Sequence, residues 1–354
     1  MPRRILLLTI VIVSLAFLVG GFRRQQADRS SKSARSAQRR APRKRPRPPI
    51  TSFATDTGDR QLIVRLLDVG QGDATYIRNG SSRIIIDGGP EPAVFGRYLD
   101  SLSLNNTTID VVILSHQHLD HYSGLRELFR TSRHIRIRYF FENKDPAPAV
   151  TLASLRDSIL SRMDHDSLIY RDSDDPCSDG RRMCTITMTG GARLHILAPM
   201  PGGLGANNRS TAIKLIGPDS ASFSMWLAGD AERDEIGWFE HTGYAVNPGM
   251  KVDVLKADHH GSCNGVTPRY LALTRPKWVI ASLGSSNAYG HMHSQAKAIY
   301  RSAGVPWYRT DQNGTITIRS PGTPGGGFSI VAQRSGADLD GPSDRRYRQP
   351  CTTR

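Results

Sequence analysis

A chain of 354 residues is long enough for one large folded domain or two small ones. Its formal charge of +15 looks like a nucleic-acid signature, but residues 23–49 hold eleven Lys or Arg against Asp28 alone, and Arg3 and Arg4 add two more. The remainder carries only about +3, so the charge excludes a uniformly basic folded body.

In chain order, residues 5–22 (ILLLTIVIVSLAFLVGGF) carry no charge. At about 1.5 Å per residue such a helix nearly spans a hydrocarbon core. Arg3 and Arg4 precede it and small residues close it, so a signal-anchor helix and a cleavable signal peptide both fit residues 1–22. A membrane-anchored or secreted protein is expected, with the extracytoplasmic side favoured. Within 23–49 alanine is the only aliphatic type and aromatics are absent. Too little apolar surface is available there to offset chain entropy, so residues 23–55 are expected as a disordered linker. Its charges suit anionic lipid or DNA phosphates, or serve only as a self-repelling spacer.

Residues 56–335 read as one folded domain. The runs 62–69 (LIVRLLDV), 74–80 (ATYIRNG) and 83–89 (RIIIDGG) predict strands closed by glycine-rich turns, and EPAVFGRYLDSL has helical spacing. IDVVILSH (109–116) is a continuous apolar run, the pattern of a strand buried on both faces, and SGLRELFR (123–130) predicts a helix after it. CTITMTG, ARLHILAP, TAIKLIG and SFSMWLAGD predict four further strands, followed by a helix over 231–243 and a strand over 252–258. TITIRS and GFSIVAQ predict a hairpin across PGTPGG, and residues 336–354 a ragged tail. Two packed sheets flanked by helices, in the α/β class, account for this alternation. Cys177 and Cys184 bracket a polar loop where a small disulfide would suit an exported domain; Cys263 and Cys351 have no obvious mates. With C-x-x-C absent, a thiolate-rich structural zinc is disfavoured.

SHQHLDH (115–121) concentrates ligand-type side chains at the end of the buried strand. That is where α/β sheets place their chemistry. His116 and His118, two apart, can converge on one cation from extended backbone, and Asp120 and His121 can address a second. Two other predicted strands end on such residues: one on Asp230, suited to bridge two metals about 3.5–4 Å apart, and one on His259-His260. His291 and His293 follow in YGHMHS.

The stretches LDVGQGDA, IIIDGG, ILSHQHLDHYSGL, NNRSTAIKL, WLAGDAERDE, VLKADHHGS, SSNAYGHMHSQA and YRTDQNGTITI run in order over about residues 60–320. Together they resemble the metallo-β-lactamase superfamily and, within it, ComEC-type competence hydrolase domains. The resemblance implies a four-layer αββα sandwich with two divalent ions, Zn²⁺ or Mn²⁺, between the sheets. It places His116 and His118 on the first metal, Asp120 and His121 on the second, Asp230 as the bridge, and His260, in preference to His259, as the late ligand. Where many members have a further histidine this chain has Asn207 and Asn208; either is an expected weak oxygen ligand, or the site is left open there.

Paired divalent ions acidify water to a pKa of about 7 and polarise a phosphodiester oxygen. Asp120 is expected to orient the attacking group or shuttle its proton. His291 is expected as the acid for the leaving alkoxide, with His259 or His293 in reserve. Gln71, Asp73 and Asp87 are expected to buttress the ligands, although Asp87 equally suits a turn cap. ComEC-type proteins also carry a multi-helix channel, whereas this chain offers at most one spanning segment, so transport of DNA is not expected of it. Three functions compete: a DNA phosphodiesterase recruited by the basic tail; a hydrolase of a small extracellular ester such as a phosphocholine, lactone or β-lactam; and a tethered module without turnover. The sequence leaves the oligomeric state open.

Overall fold

A computed structural model describes residues 59–341 apart from 147, 148, 166, 286 and 337. The apolar stretch 5–22, the basic segment 23–55 as far as residue 58, and residues 342–354 lie outside the described residues. Among those described, no helix is long and apolar enough to cross a membrane.

The strands in chain order are β1 (Leu62–Leu66), β2 (Thr75–Asn79), β3 (Ser82–Ile86), β4 (Thr108–Ile113), β5 (Arg136–Glu142), β6 (Ile169–Asp172), β7 (Met183–Thr187) and β8 (Arg193–Leu197). They continue as β9 (Ala212–Ile216), β10 (Ser224–Leu227), β11 (Val254–Lys256), β12 (Trp278–Ala281), β13 (Trp307–Arg309), β14 (Ile316–Ser320) and β15 (Ser329–Ala332). The helices are α1 (Pro92–Ser101), α2 (Leu119–Tyr122), α3 (Val150–His165), α4 (Arg233–His241), α5 (Pro268–Thr274), α6 (Ser294–Ser302) and α7 (Thr310–Asn313). One sheet has the order β15-β14-β1-β2-β3-β4-β5-β6 and the other β13-β12-β11-β10-β9-β8-β7.

Side-chain alternation makes four layers of these elements. Ile84 and Ile86 of β3, Val111 and Ile113 of β4, and Tyr139 and Phe141 of β5 share a core with Ile196, Ile213, Leu215, Met225 and Val254 of the other sheet. Their neighbours Ile85, Val112 and Phe140 point the other way, onto Phe95 and Leu99 of α1 and Leu152, Leu155 and Ile159 of α3. Trp226, Leu255 and Val279 on the far face of the second sheet meet Phe239 of α4, Tyr270 of α5 and Tyr300 of α6. A strand buried on both faces has no polar side to show in its sequence, hence the apolar run VVIL after Asp110.

The strands β3, β4 and β5 run parallel, as do β10 to β13, so the loops that follow these strands bring ligand-type side chains together from both sheets. The hairpin of β14 and β15 forms antiparallel, with Ile318 opposite Ile330. Two expectations need correction. Residues 123–129 form a tight 3₁₀ segment rather than an α-helix. The turn is pressed against the IIIDGG loop: a Cβ on Gly124 would stand 1.9 Å from the Gly88 carbonyl oxygen, so only glycine allows this approach. Packing also continues past residue 335, since the Leu339 carbonyl accepts hydrogen bonds from Trp307 Nε1 (3.0 Å) and Arg309 Nη1 (3.1 Å).

Cys177 and Cys184 form a disulfide. Cys263, which had no obvious mate in the sequence, is disulfide-bonded too.

A candidate metal centre

The chain leaves β4 at Ile113, and Leu114 and Ser115 carry it into the turn that becomes α2. Ser115 is anchored at once: its backbone N–H (2.8 Å) and its hydroxyl (2.7 Å) both donate to the Asp87 carboxylate at the end of β3. Asp87 also faces His121 Nδ1 at 2.9 Å. A proton on Nδ1 satisfies that contact and leaves the Nε2 lone pair directed inward.

His260 is set the same way from the other sheet. Its Nδ1 donates to the Ser282 carbonyl at 2.8 Å, beyond β12, and Asp73 Oδ1 lies 3.4 Å away. Its Nε2 stands 3.2 Å from Asp230 Oδ2 and 3.3 Å from Asp120 Oδ2; His121 Nε2 is 3.3 Å from the same Asp230 oxygen. On the other side of Asp230, His116 Nε2 is 3.8 Å from Oδ2 and 3.1 Å from His118 Nδ1. Two constellations therefore share Asp230: Asp120, His121 and His260 with it, and His116 and His118 with it, each with ligand atoms within 4.8 Å of one another.

This donor set fits divalent cations. His121 Nε2, His260 Nε2 and Asp230 Oδ1 are buried without a hydrogen-bond partner. Buried polar atoms left in that condition cost about 1–3 kcal/mol each, which a bound cation would recover. The electrostatics of the cluster agree. Burial opposes the charge of Asp230, yet His260 and His121 hold its carboxyl well below the usual range. Burial likewise opposes charge on His121, but Asp230, Asp87 and Asp120 outweigh it and raise the ring well above an ordinary histidine. His116 goes the other way, lowered by burial and by His121. The clustered carboxylates thus favour positive charge at this point, as a divalent cation supplies.

The two neighbouring pairs of the sequence separate here. His260 enters the cluster and His259 does not: the His259 ring turns to Asn264 Oδ1 (3.1 Å) and Glu232 Oε1 (3.2 Å) and stays 4.0 Å from Asp230. Both residues are left-handed, with φ of 47° and 55°, which sends consecutive rings in different directions. Asn208 accepts the Glu235 N–H (3.2 Å) at the start of α4 and is committed to that cap. Asn207 lines the cleft, with Nδ2 on Glu232 (2.7 Å) and a buried, unpartnered Oδ1. Of the two, Asn207 is the oxygen donor available to the site.

The expected acid and its reserves also change. Burial first, then His260 and His259, push the His291 pKa down to about 2, so its ring is neutral near pH 7 and offers an N–H rather than an acidic proton. His293 is a loop staple: Nδ1 accepts from the Cys263 N–H (3.1 Å) and Nε2 donates to the Tyr289 carbonyl (3.0 Å). Gln71 ties the turn after β1 to the loop after β12 through the Gly284 N–H (3.3 Å).

Sequence reasoning passed over Lys256. Its ammonium, 2% exposed, ends β11 with Asp73 Oδ2 at 2.5 Å, the Gly229 carbonyl at 3.0 Å and the Ala257 carbonyl at 3.1 Å. The one basic side chain in the strand-predicting run VDVLKAD was the available signal. The cluster opens into a cleft of about 490 Å³, walled by Gln71, His118, Asp120, Asn207, His259 and Tyr289 among others.

Residues 67–139 match the metallo-beta-lactamase superfamily. The chain is 31% identical over 148 residues to ComE operon protein 3 of Bacillus subtilis (strain 168), which covers 42% of this chain and 18% of that protein. It is 22% identical over 275 residues to Competence protein ComA of Neisseria gonorrhoeae, 73% of this chain and 32% of that one. The chain thus spans a third or less of the length of these curated relatives. Among solved structures, the metallo-beta-lactamase fold protein YhfI from Bacillus subtilis aligns with a TM-score of 0.44 at 13% identity, over 70% of this chain and 96% of that one.

Proposed function

We propose that this chain, which matches the metallo-β-lactamase superfamily over residues 67–139, is a metal-dependent phosphodiesterase that cleaves DNA. The observation that carries this reading is the pair of constellations sharing Asp230, which suits two divalent ions, Zn²⁺ or Mn²⁺. The similarity to Competence protein ComA of Neisseria gonorrhoeae supports DNA as the polymer. Bound there, divalent cations acidify water and neutralise charge on a phosphodiester oxygen.

The chain's own groups would do the rest. His116 and His118 would hold one ion, His121 and His260 the other, and Asp230 both. Burial works against the charge of Asp120, but His121 and His260 outweigh it and keep the carboxyl well below its usual range. Ionised at neutral pH, Asp120 can orient the attacking water and accept its proton. His291, neutral, can donate a hydrogen bond to a substrate oxygen. The basic segment 23–55 would recruit the polyanion, or anionic lipid, through its Lys and Arg side chains. The disulfides support a domain that faces an oxidising, extracytoplasmic space, whether anchored or secreted.

The test is incubation of the purified protein with single-stranded and duplex DNA, with and without Mn²⁺ or Zn²⁺. Metal-dependent cleavage is expected, falling at least about 100-fold in Asp120→Ala; its absence with every metal refutes the reading. A small extracellular ester is the second reading, favoured by cleft walls that hold no Lys or Arg among the described residues. Phosphocholine, lactone and β-lactam substrates belong in the same assay.

A further inference from the structure

Two large apolar side chains stand unusually open beside the metal cluster. Tyr289 is 57% exposed and Leu119 54%, and both line the cleft. Scattered exposed apolar groups need no explanation, but two at the mouth of a polar cleft do. The Tyr289 ring is braced by a neighbouring imidazole. It stacks on His291 at 5.6 Å and 23°, and His291 in turn stacks on His260 at 5.9 Å and 29°. Its backbone carbonyl is held by His293. More than half of the residue stays open to solvent.

The charge pattern limits what such a ring can grip. A protein that follows duplex DNA neutralises phosphates with rows of Lys and Arg, and none lines this cleft among the described residues. A space of about 490 Å³ is the size of a small-ligand pocket and not of a double helix. In a duplex, moreover, the base faces are buried in the stack and must be freed before a side chain can reach them. Proteins hold unpaired bases on aromatic faces, whatever their sequence, and meet the backbone with cationic groups; here the basic segment 23–55 is the available source of those charges.

Resting on the phosphodiesterase reading, we propose that Tyr289, with Leu119 beside it, seats one unpaired nucleobase next to the metal centre. Single-stranded segments and frayed ends are then the substrate, and the stacked base sets the scissile phosphate against the ions.

The experiment measures binding of the full chain without metal, in chelator, to a fluorescein-labelled oligodeoxyadenylate and to an abasic oligomer of equal length and charge. High salt screens the basic tail, whose phosphate contacts are the same for both probes. One stacked base predicts about fivefold or more tighter binding of the base-bearing probe. Tyr289→Phe keeps that ratio and Tyr289→Ala brings it close to unity. Equal binding of both probes by the unmodified chain, no measurable binding of either, or a preference that survives in Tyr289→Ala would overturn the proposal. A preference lost in Tyr289→Ala without any metal-dependent cleavage supports the seat and refutes only the nuclease reading.

Discussion

Lys256 places a positive charge where the metal ligands of both sheets are steadied. Burial acts to discharge it, but Asp73 and Asp230 more than compensate and raise its pKa. Through Asp73 it reaches His260 Nδ1, and through the Gly229 carbonyl it holds the residue before Asp230. Lys256→Met leaves the buried Asp73 carboxylate without its ammonium partner. A loss of about 3–5 kcal/mol is expected in urea unfolding of the metal-free protein, partly restored in the Lys256→Met/Asp73→Asn double variant. Metal affinity, read by titration, is expected to fall about 10–100-fold in the single variant. An unchanged unfolding midpoint would show that the ion pair is solvated. At this scale the sequence disclosed residue types but not directions. His259 and His260 are the same side chain on adjacent positions, and only their left-handed backbone, with the Ser282 carbonyl waiting for one of them, decides which ring enters the cluster. Asn207 and Asn208 divide for the same reason, one facing the cleft and the other capping α4.

Among the elements, strands with a one-sided or wholly apolar pattern were legible: β1 to β4, β7 to β11 and the β14–β15 hairpin coincide with the runs that predicted them, β3, β4 and β7 beginning one residue earlier. The segment holding β5, α3 and β6 gave no clear reading. The exposed arginines of β5 interrupt its apolar run, and α3 has mixed polarity around its circumference. The antiparallel β7–β8–β9 ribbon carries a pH-sensitive pair of its own. His195 on β8 faces Thr185 Oγ1 at 2.7 Å and lies in register with Lys214 of β9. Burial, then Arg193 and Lys214, lower its pKa to about 4. An unfolded histidine protonates near 6.5. Between those values the unfolded chain binds the additional proton, so this residue's contribution to stability is full above about pH 6.5 and lost as pH falls towards 4. Thermal midpoints of the protein and of His195→Gln, compared at pH 7 and pH 5, are expected to converge or cross at the lower pH. A constant difference would sink the assignment.

For the whole molecule, the ligand set joins the two sheets. His116, His118, Asp120 and His121 follow β4, while Asp230 and His260 follow β10 and β11. A cation held there binds only the folded arrangement and stabilises it by mass action, by about 2.7 kcal/mol at a hundredfold excess over its dissociation constant. For a domain of this size that corresponds to about 5–10 °C in thermal midpoint. Chelator is expected to lower the midpoint by that amount and Zn²⁺ or Mn²⁺ to restore it. A midpoint indifferent to both would show that the cluster does not hold metal in solution.

By itself the sequence determined what depends on neighbours along the chain: the alternation that buries each strand, the glycine turns, and the placing of histidines and carboxylates where strands end. The tertiary structure decided what depends on groups far apart in sequence. Asp87 meets His121 across 34 positions and Asp73 meets Lys256 from opposite sheets, so ring tautomers, charge pairing and the choice between adjacent candidates exist only once the sheets have packed.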